Sequence, residues 1–404
     1  MSSLATTTAP GVSNSATRAS LASLTLLCAA HFFIDLYASA LSALQPLLVR
    51  NLGLSLAQAG FAAGLLLVSS SVSQPLYGYL ADRFHSRLFT VLAPAVAGIF
   101  LTLLATAPSY PVLLLLAVLG GAGVASFHPQ ASARAGSGVV TNKGRSMALF
   151  ISSGTMGMAL GPTVFSFVIT QFGLHRLPFA MTGGLLLTAL LFLYLPEAPV
   201  SASRGRGIDW PALRAVWKPL FILYLCVFIR SIVQIVYAQF LPLYLTQERG
   251  VAYTHANALL TLYLAAGALG GFAGGWLSDR LGGRRVIMIS MLGCVPPLAL
   301  FFTTTGPLAA LSLAVGGLIL LFTIPVNLVM AQELVPSQTG TVSALMMGFA
   351  WGAAGFLFVP AAGFAADHLS LHQVMFSLLV FPIAGFFLAR TLPERARAHR
   401  SPAA

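Results

Sequence analysis

What most constrains this chain is the serial repetition of long apolar blocks, which follow one another from residue 21 to residue 390 with only short polar breaks between them. A helix needs roughly 20 apolar residues to cross a bilayer, and with no water in the hydrocarbon its backbone groups must be bonded within the segment. Charged residues make up only 7% of the 404, against roughly 25% in a soluble chain, so a water-facing surface cannot be built. The sequence therefore predicts an all-α membrane protein of twelve transmembrane helices, with the lipid bilayer as its first partner. The breaks place the first six at 21–48, 57–80, 88–107, 110–133, 146–170 and 177–195. The second six fall at 219–244, 254–277, 285–304, 308–331, 341–364 and 372–390. No stretch between the blocks is long enough for a separate soluble domain, so function is expected inside the bundle.

Charge placement sets the expected orientation. The formal net charge is +12, but the basic residues stand singly in short loops rather than in the stripe that nucleic acid requires, and no nucleic-acid partner is expected. With the N-terminus inside, seventeen of the 21 Lys and Arg residues fall on the cytoplasmic side. Arg50, Arg176 and Arg249 fall outside, and Arg230 lies within a helix. Cytoplasmic loops retain positive charge during insertion, which predicts both termini in the cytoplasm. Cys28, Cys226 and Cys294 lie in apolar blocks without metal-like spacing; they read as buried and reduced, and no metal is expected. Residues 1–20, rich in Ser, Thr and Ala, read as a disordered cytoplasmic tail. A six-helix bundle over 21–195, a cytoplasmic linker over 196–218, a second bundle over 219–390 and a tail over 391–404 complete the expected organisation.

The two sets of helices are related. Pro46 and Pro242, Pro129 and Pro325, and Gly144 and Gly340 are each separated by 196 residues. Around the last pair, Gly-Arg-Ser-Met-Ala-Leu-Phe lies opposite Gly-Thr-Val-Ser-Ala-Leu-Met. Two pseudo-symmetric halves of one orientation are the pattern of carriers that rock around a central site. A second duplicated segment follows helices two and eight: Gly78-Tyr-Leu-Ala-Asp82-Arg83-Phe-His-Ser-Arg87 and Gly275-Trp-Leu-Ser-Asp279-Arg280-Leu-Gly-Gly-Arg284-Arg285. These resemble the cytoplasmic loop signature of the major facilitator superfamily, and the resemblance implies that fold. The glycine serves a tight turn, and the Asp can accept hydrogen bonds from a helix N-terminus or an Arg and hold the cytoplasmic side closed. The first copy departs from the pattern at His85.

Glycines repeat at four residues on helix eight, at Gly267, Gly271 and Gly275, while Gly154, Gly157, Gly161 and Pro162 mark helix five. Small faces let backbones approach closely, whether for static packing or for movement; in the family, helices five and eight meet across the halves. Gly161-Pro162 is similar to part of the antiporter signature on helix five. Four further stretches matter: His31-Phe-Phe-Ile-Asp35, Phe127-His128-Pro129 followed by Arg134, Phe228-Ile-Arg230-Ser231, and Gln332-Glu333-Leu334 with Pro336. With the loop signatures, they resemble the fosmidomycin-resistance group of bacterial drug exporters over about 25 to 390. The resemblance implies a proton-driven exporter of the cell inner membrane that uses the proton gradient and no cofactor.

Ionisable groups deep in a membrane are costly, so each is a functional candidate. Asp35 lies near mid-depth of helix one with His31 one turn earlier on the same face. Burial and a neighbouring cation act on a carboxylate in opposite senses, the tension that a proton switch needs; a permanently hydrogen-bonded structural Asp is the alternative. Arg230 sits near the middle of helix seven, almost opposite Asp35 in the repeat. Its planar fork suits a carboxylate or phosphonate, so it either pairs with Asp35 or holds an anionic group of the cargo. His128, before the helix-breaking Pro129, and Gln234, Tyr237 and Asn327 are further cargo candidates, with Gln45, Gln74 and Gln239 as polar lining. Arg134 and Glu333, at equivalent helix ends, are assigned to the cytoplasmic gate.

These residues predict a monomeric secondary transporter of a small molecule, a proton-coupled efflux antiporter for an amphiphilic or anionic, drug-like compound. The alternative is an uptake symporter or facilitator for a metabolite such as an organic acid. An enzyme is not expected, because no nucleophile–base pair, phosphate loop or metal cluster occurs at a usable spacing.

Overall fold

The computed structural model describes residues 14–84, 86–137, 143–197 and 209–393. Among them no strand occurs, and twelve helices are long and apolar enough to cross a bilayer. They are α1 (Leu21–Leu52), α2 (Leu56–Ala81), α3 (Leu88–Thr106), α4 (Tyr110–Ala135), α5 (Arg145–Phe172), α6 (Leu174–Tyr194), α7 (Trp217–Gln247), α8 (Tyr253–Leu281), α9 (Gly283–Thr303), α10 (Gly306–Leu334), α11 (Pro336–His368) and α12 (Leu371–Ala389). Each expected block is one helix, with its ends shifted by a few residues. Helix extends back to Asn14, inside the stretch expected as a tail. The expected linker contains a short helix, Trp210–Ala215, whose N-terminus is capped by the Asp209 side chain bonded to Ala212 N. Residues 1–13, 198–208 and 394–404 lie outside the described residues, as do His85 and the side chain of Asp82.

Lipid is as apolar as leucine, so helices associate through close packing rather than through a hydrophobic drive. Small residues provide it, and the repeat shows in where they sit. A Cβ at Gly120 on α4 would meet Leu101 of α3 at 2.4 Å, and one at Gly316 on α10 would meet Leu298 of α9 at 2.4 Å. Likewise Tyr37 of α1 donates to Ala180 O of α6 at 2.7 Å, and Tyr237 of α7 donates to Met375 O of α12 at 3.0 Å. The first and last helices of each six are thus pinned by a tyrosine.

The glycine stripes of α5 and α8 do not face each other. A Cβ at Gly157 would lie 1.9 Å from Phe32 O and one at Gly161 1.9 Å from Ser39 Oγ, so the α5 stripe packs on α1 of the same half. On α8, a Cβ at Gly267 would meet Leu321 at 2.4 Å and one at Gly270 would meet Leu318 O at 2.0 Å, so this stripe packs on α10; Gly271 borders open space. Helices α5 and α8 do meet across the halves, but through a Thr163–Thr261 hydroxyl pair at 2.8 Å. The sequence placed small residues on the correct helices and could not show which neighbour they serve.

The halves join at the end remote from the signature loops. There Ser42 of α1 donates to Gln239 of α7 at 3.0 Å, and Tyr253 of α8 donates to Ala43 O at 3.0 Å. The contact of α1 with α7 is made by Ala40–Leu52 rather than by the earlier turns. Helices α2 and α11 pack from Leu56 beside Gly363 to Val72 beside Gly352. At that depth each has a π-helical turn, Val68–Val72 in one and Ala344–Phe349 in the other. Such turns redirect a helix. Beyond its turn, Gln74–Phe84 packs on α4 of its own half, leaving Tyr79 and Phe84 exposed. The described contacts between the halves thus run from mid-depth to the end remote from the signature loops, which is the closed end.

Candidate functional site

Asp35 sits between two imidazoles. His31 Nε2 lies 3.3 Å from Asp35 Oδ2, and His128 Nε2 lies 3.4 Å from Asp35 Oδ1. The periodicity of α1 puts His31 and Asp35 on one face, and α4 brings in His128 one residue before Pro129. Helix α5 supplies the floor: Phe150 stacks on the His31 ring at 4.2 Å between centroids, and a Cβ at Gly154 would meet His31 Nε2 at 2.3 Å and Asp35 Oδ2 at 2.6 Å. Only glycine leaves room for the pair at that position. Side-chain exposure rises from 8% at His31 through 14% at Asp35 to 26% at His128, so the trio is approached from the His128 side.

The ring orientations are fixed from behind. His31 Nδ1 lies 2.7 Å from Phe150 O and His128 Nδ1 lies 2.9 Å from Val124 O. A carbonyl oxygen only accepts, so both Nδ1 atoms carry hydrogen, and each Nε2 presents a lone pair to Asp35 unless a proton lies between them. Two protons are needed to fill both gaps. Two imidazoles and a carboxylate within 4.8 Å of one another are also donors of the type that zinc-class ions take. The two contacts, at 3.3 and 3.4 Å, lie at the long end of the hydrogen-bond range.

Arg230 occupies the facing helix and forms no ion pair within 4.0 Å of a carboxylate among the described residues. The Asp35–Arg230 pair, one of the two expected arrangements, is therefore not made here. Arg230 is 5% exposed; its Nη1 donates to Gln234 Oε1 and its Nη2 to Ser231 Oγ, while Nε has no partner. A lone cation at this depth costs about 3 kcal/mol, which its two charge-assisted bonds, at about 1.5–3 kcal/mol each, offset without supplying a countercharge. The Tyr263 and Thr323 hydroxyls and both amide atoms of Asn327 are likewise buried without partners, on helices α8 and α10 that pack against α7. Tyr237 is fully buried, and its hydroxyl is taken up by Met375 O rather than left for a cargo.

The signature residues act mainly within each half. Arg87 Nη1 donates to Leu195 O and Arg134 Nη1 to Pro196 O at 2.7 Å, so the ends of α3 and α4 are tied to the chain leaving α6. Arg280 lies 3.8 Å over the Trp276 ring. Arg83 and Asp279 are exposed, and Arg284 is half-buried. Gly78 lies beside Pro129 and Gly275 beside Pro325, at equivalent places in the repeat. Sequence reasoning missed His128 as a partner of Asp35 and Gly154 as its floor. The shared face of residues on different helices is a tertiary fact that one helix's periodicity does not carry.

The sequence profile of the Major Facilitator Superfamily matches residues 27–231 and 223–404. An uncharacterized MFS-type transporter of Bacillus subtilis is 30% identical over 90% of this chain and 91% of its own length. The fosmidomycin resistance protein of Escherichia coli is 29% identical over 93% of this chain and 94% of its own. Among solved structures, a bacterial homologue of the human lysosomal transporter Spinster, in an inward-facing and occupied conformation, superposes with a TM-score of 0.79 at 17% identity, covering 93% of this chain and 98% of that one. With the duplicated halves, the paired loop signatures and this match along nearly its whole length, the chain belongs to the major facilitator superfamily and is a secondary transporter, not an enzyme.

Proposed function

We propose that the protein is a proton-coupled exporter of a small amphiphilic or anionic compound, working by alternating access with Asp35, His31 and His128 as its proton site. The observation that carries this reading is the tautomer lock. With both gaps filled, the trio binds two protons and has one net positive charge. When one proton leaves, a lone pair on one Nε2 faces a carboxylate lone pair, and that contact must open. His31 shares a helix with Asp35 and cannot leave; His128, on α4, can. Proton loss therefore frees α4 from α1 and turns His128 Nε2 into an acceptor for a donor group on the cargo. Proton and cargo then compete for one atom, as antiport requires. Across the chamber, Arg230 binds an anionic group of the cargo, and the unpartnered Asn327 amide adds to that site.

The lysine and arginine asymmetry supports a cytoplasmic signature end, and the gathering of cross-half contacts at the other end supports an inward-facing conformation. A relative named for fosmidomycin resistance supports export. The protein acts as a monomer in the cell inner membrane, with the proton gradient as its energy source. The test is a drug panel that includes fosmidomycin, applied to cells with and without the protein. The expected result is raised tolerance to at least one compound, abolished by an uncoupler. Unchanged tolerance throughout, with a deletion strain that loses growth on one carbon source, would assign uptake instead.

A further inference from the structure

Two of the chain's nine acidic residues cap helices other than their own. Glu248, just past the end of α7, accepts from Leu371 N at 2.5 Å and His372 N at 2.9 Å in the first turn of α12. Asp367, near the end of α11, accepts from Leu56 N at 2.7 Å and Ala57 N at 2.9 Å in the first turn of α2. The chemistry is the same in both: a carboxylate bridges two N–H groups that lack an intrahelical partner, at the positive end of a helix dipole. The connectivity differs. Helices α7 and α12 belong to one half, whereas α11 and α2 belong to different halves and lie at the closed end.

Backbone contact surrounds the Asp367 cap. A Cβ at Gly363 would lie 2.2 Å from Leu56 O, and one at Gly60 would lie 2.6 Å from Val359 O. Asp367 reaches the N–H groups of α2 only while these backbones touch, so the cap forms and breaks with closure. The end of α2 does not depend on it for its own integrity. Ser55 and Gln58 form a complete capping box, with Gln58 N bonded to Ser55 Oγ at 3.1 Å and Ser55 N to Gln58 Oε1 at 3.0 Å. Helix α2 can therefore part from Asp367 without fraying, as a reversible contact requires. At the repeat-related cross-half interface, between α5 and α8, the repeat offset of 196 puts Gln171 opposite Asp367, so that position has no carboxylate.

We propose that Asp367 is the latch of this end of the transporter: its bonds to Leu56 and Ala57 hold the two halves together, and they must break in every cycle for the chamber to open there. The inference is independent of which cargo or ion is carried. It is tested on the full-length protein in membranes, with Ser42→Cys as a reporter at the α1–α7 contact and Cys28→Ser to remove the half-buried native thiol; Cys226 and Cys294 are buried. The probe is a membrane-impermeant maleimide added at the face opposite the signature loops. Asp367→Ala and Asp367→Asn are expected to raise the labelling rate about fivefold, the population shift matching one lost helix-end charge interaction. Asp367→Glu is expected to restore most of the closure. Glu248→Ala, the same chemistry within one half, is expected to lower Tm and leave labelling unchanged. Wild-type labelling in both Asp367→Ala and Asp367→Asn would overturn the proposal, and so would an equal rise in Glu248→Ala, which would mean general loosening.

Discussion

The two halves descend from one repeat yet treat charge in opposite ways. In the first, a carboxylate is enclosed by two imidazoles whose Nδ1 atoms are held by backbone carbonyls at 2.7 and 2.9 Å, and in the proposed cycle the protons between them decide whether α4 stays on α1. In the second, the repeat offset puts Asp35 opposite Ser231, and the neighbouring Arg230 is a permanent cation bonded only to neutral groups. On this proposal one half changes its charge and the other does not. Duplication supplies two equivalent scaffolds, and divergence at a few interior positions puts a carboxylate between imidazoles in one and a guanidinium among neutral groups in the other.

That contrast can be broken at several points. The largest effect is expected from Asp35→Asn, which removes the carboxylate both imidazoles address; gradient-driven transport in proteoliposomes should fall to the background leak. Gly154→Ala should come close behind. Its methyl group has no space beside His31 and Asp35, and overpacking of this kind costs about 2 kcal/mol, so both transport and the thermal midpoint should drop; Gly271→Ala, which borders open space, should leave them unchanged. Arg230→Ala should weaken binding of an anionic cargo about 10- to 100-fold, the loss of one charged hydrogen-bonded contact, with the Arg230→Lys variant in between; equal affinity in all three would remove Arg230 from the cargo site. The smallest effect is expected from Thr163→Val, which deletes one exposed hydroxyl pair of about 1 kcal/mol or less and should change the transport rate less than threefold.

The fold was largely legible in the sequence because the bilayer leaves few choices. A 20-residue apolar block has to be a helix there, and a 196-residue offset in proline and glycine positions has to reflect two related halves. His31 and Asp35 were legible together because one helix carries both. His128 was visible as a histidine before a proline, but its place against Asp35 depends on how α4 is rotated beside α1, which neither helix encodes alone. The glycines of α5 were read as a packing face, with α8 as the neighbour that the family resemblance implied; they serve α1 instead, and Gly154 shapes the candidate proton site as well. Asp367 escaped notice because an acid at a helix end looks like any solvated charge until the helix it caps is known.

The central claim, that the carried proton resides on the Asp35 trio, is tested most directly by counting protons. Cargo identified from the drug panel would be added to purified protein in weakly buffered solution containing a pH indicator. The account predicts release of about one proton per chain on binding in the wild type and none in Asp35→Asn, with binding retained in both. Equal release from the two proteins would contradict it and place the proton elsewhere.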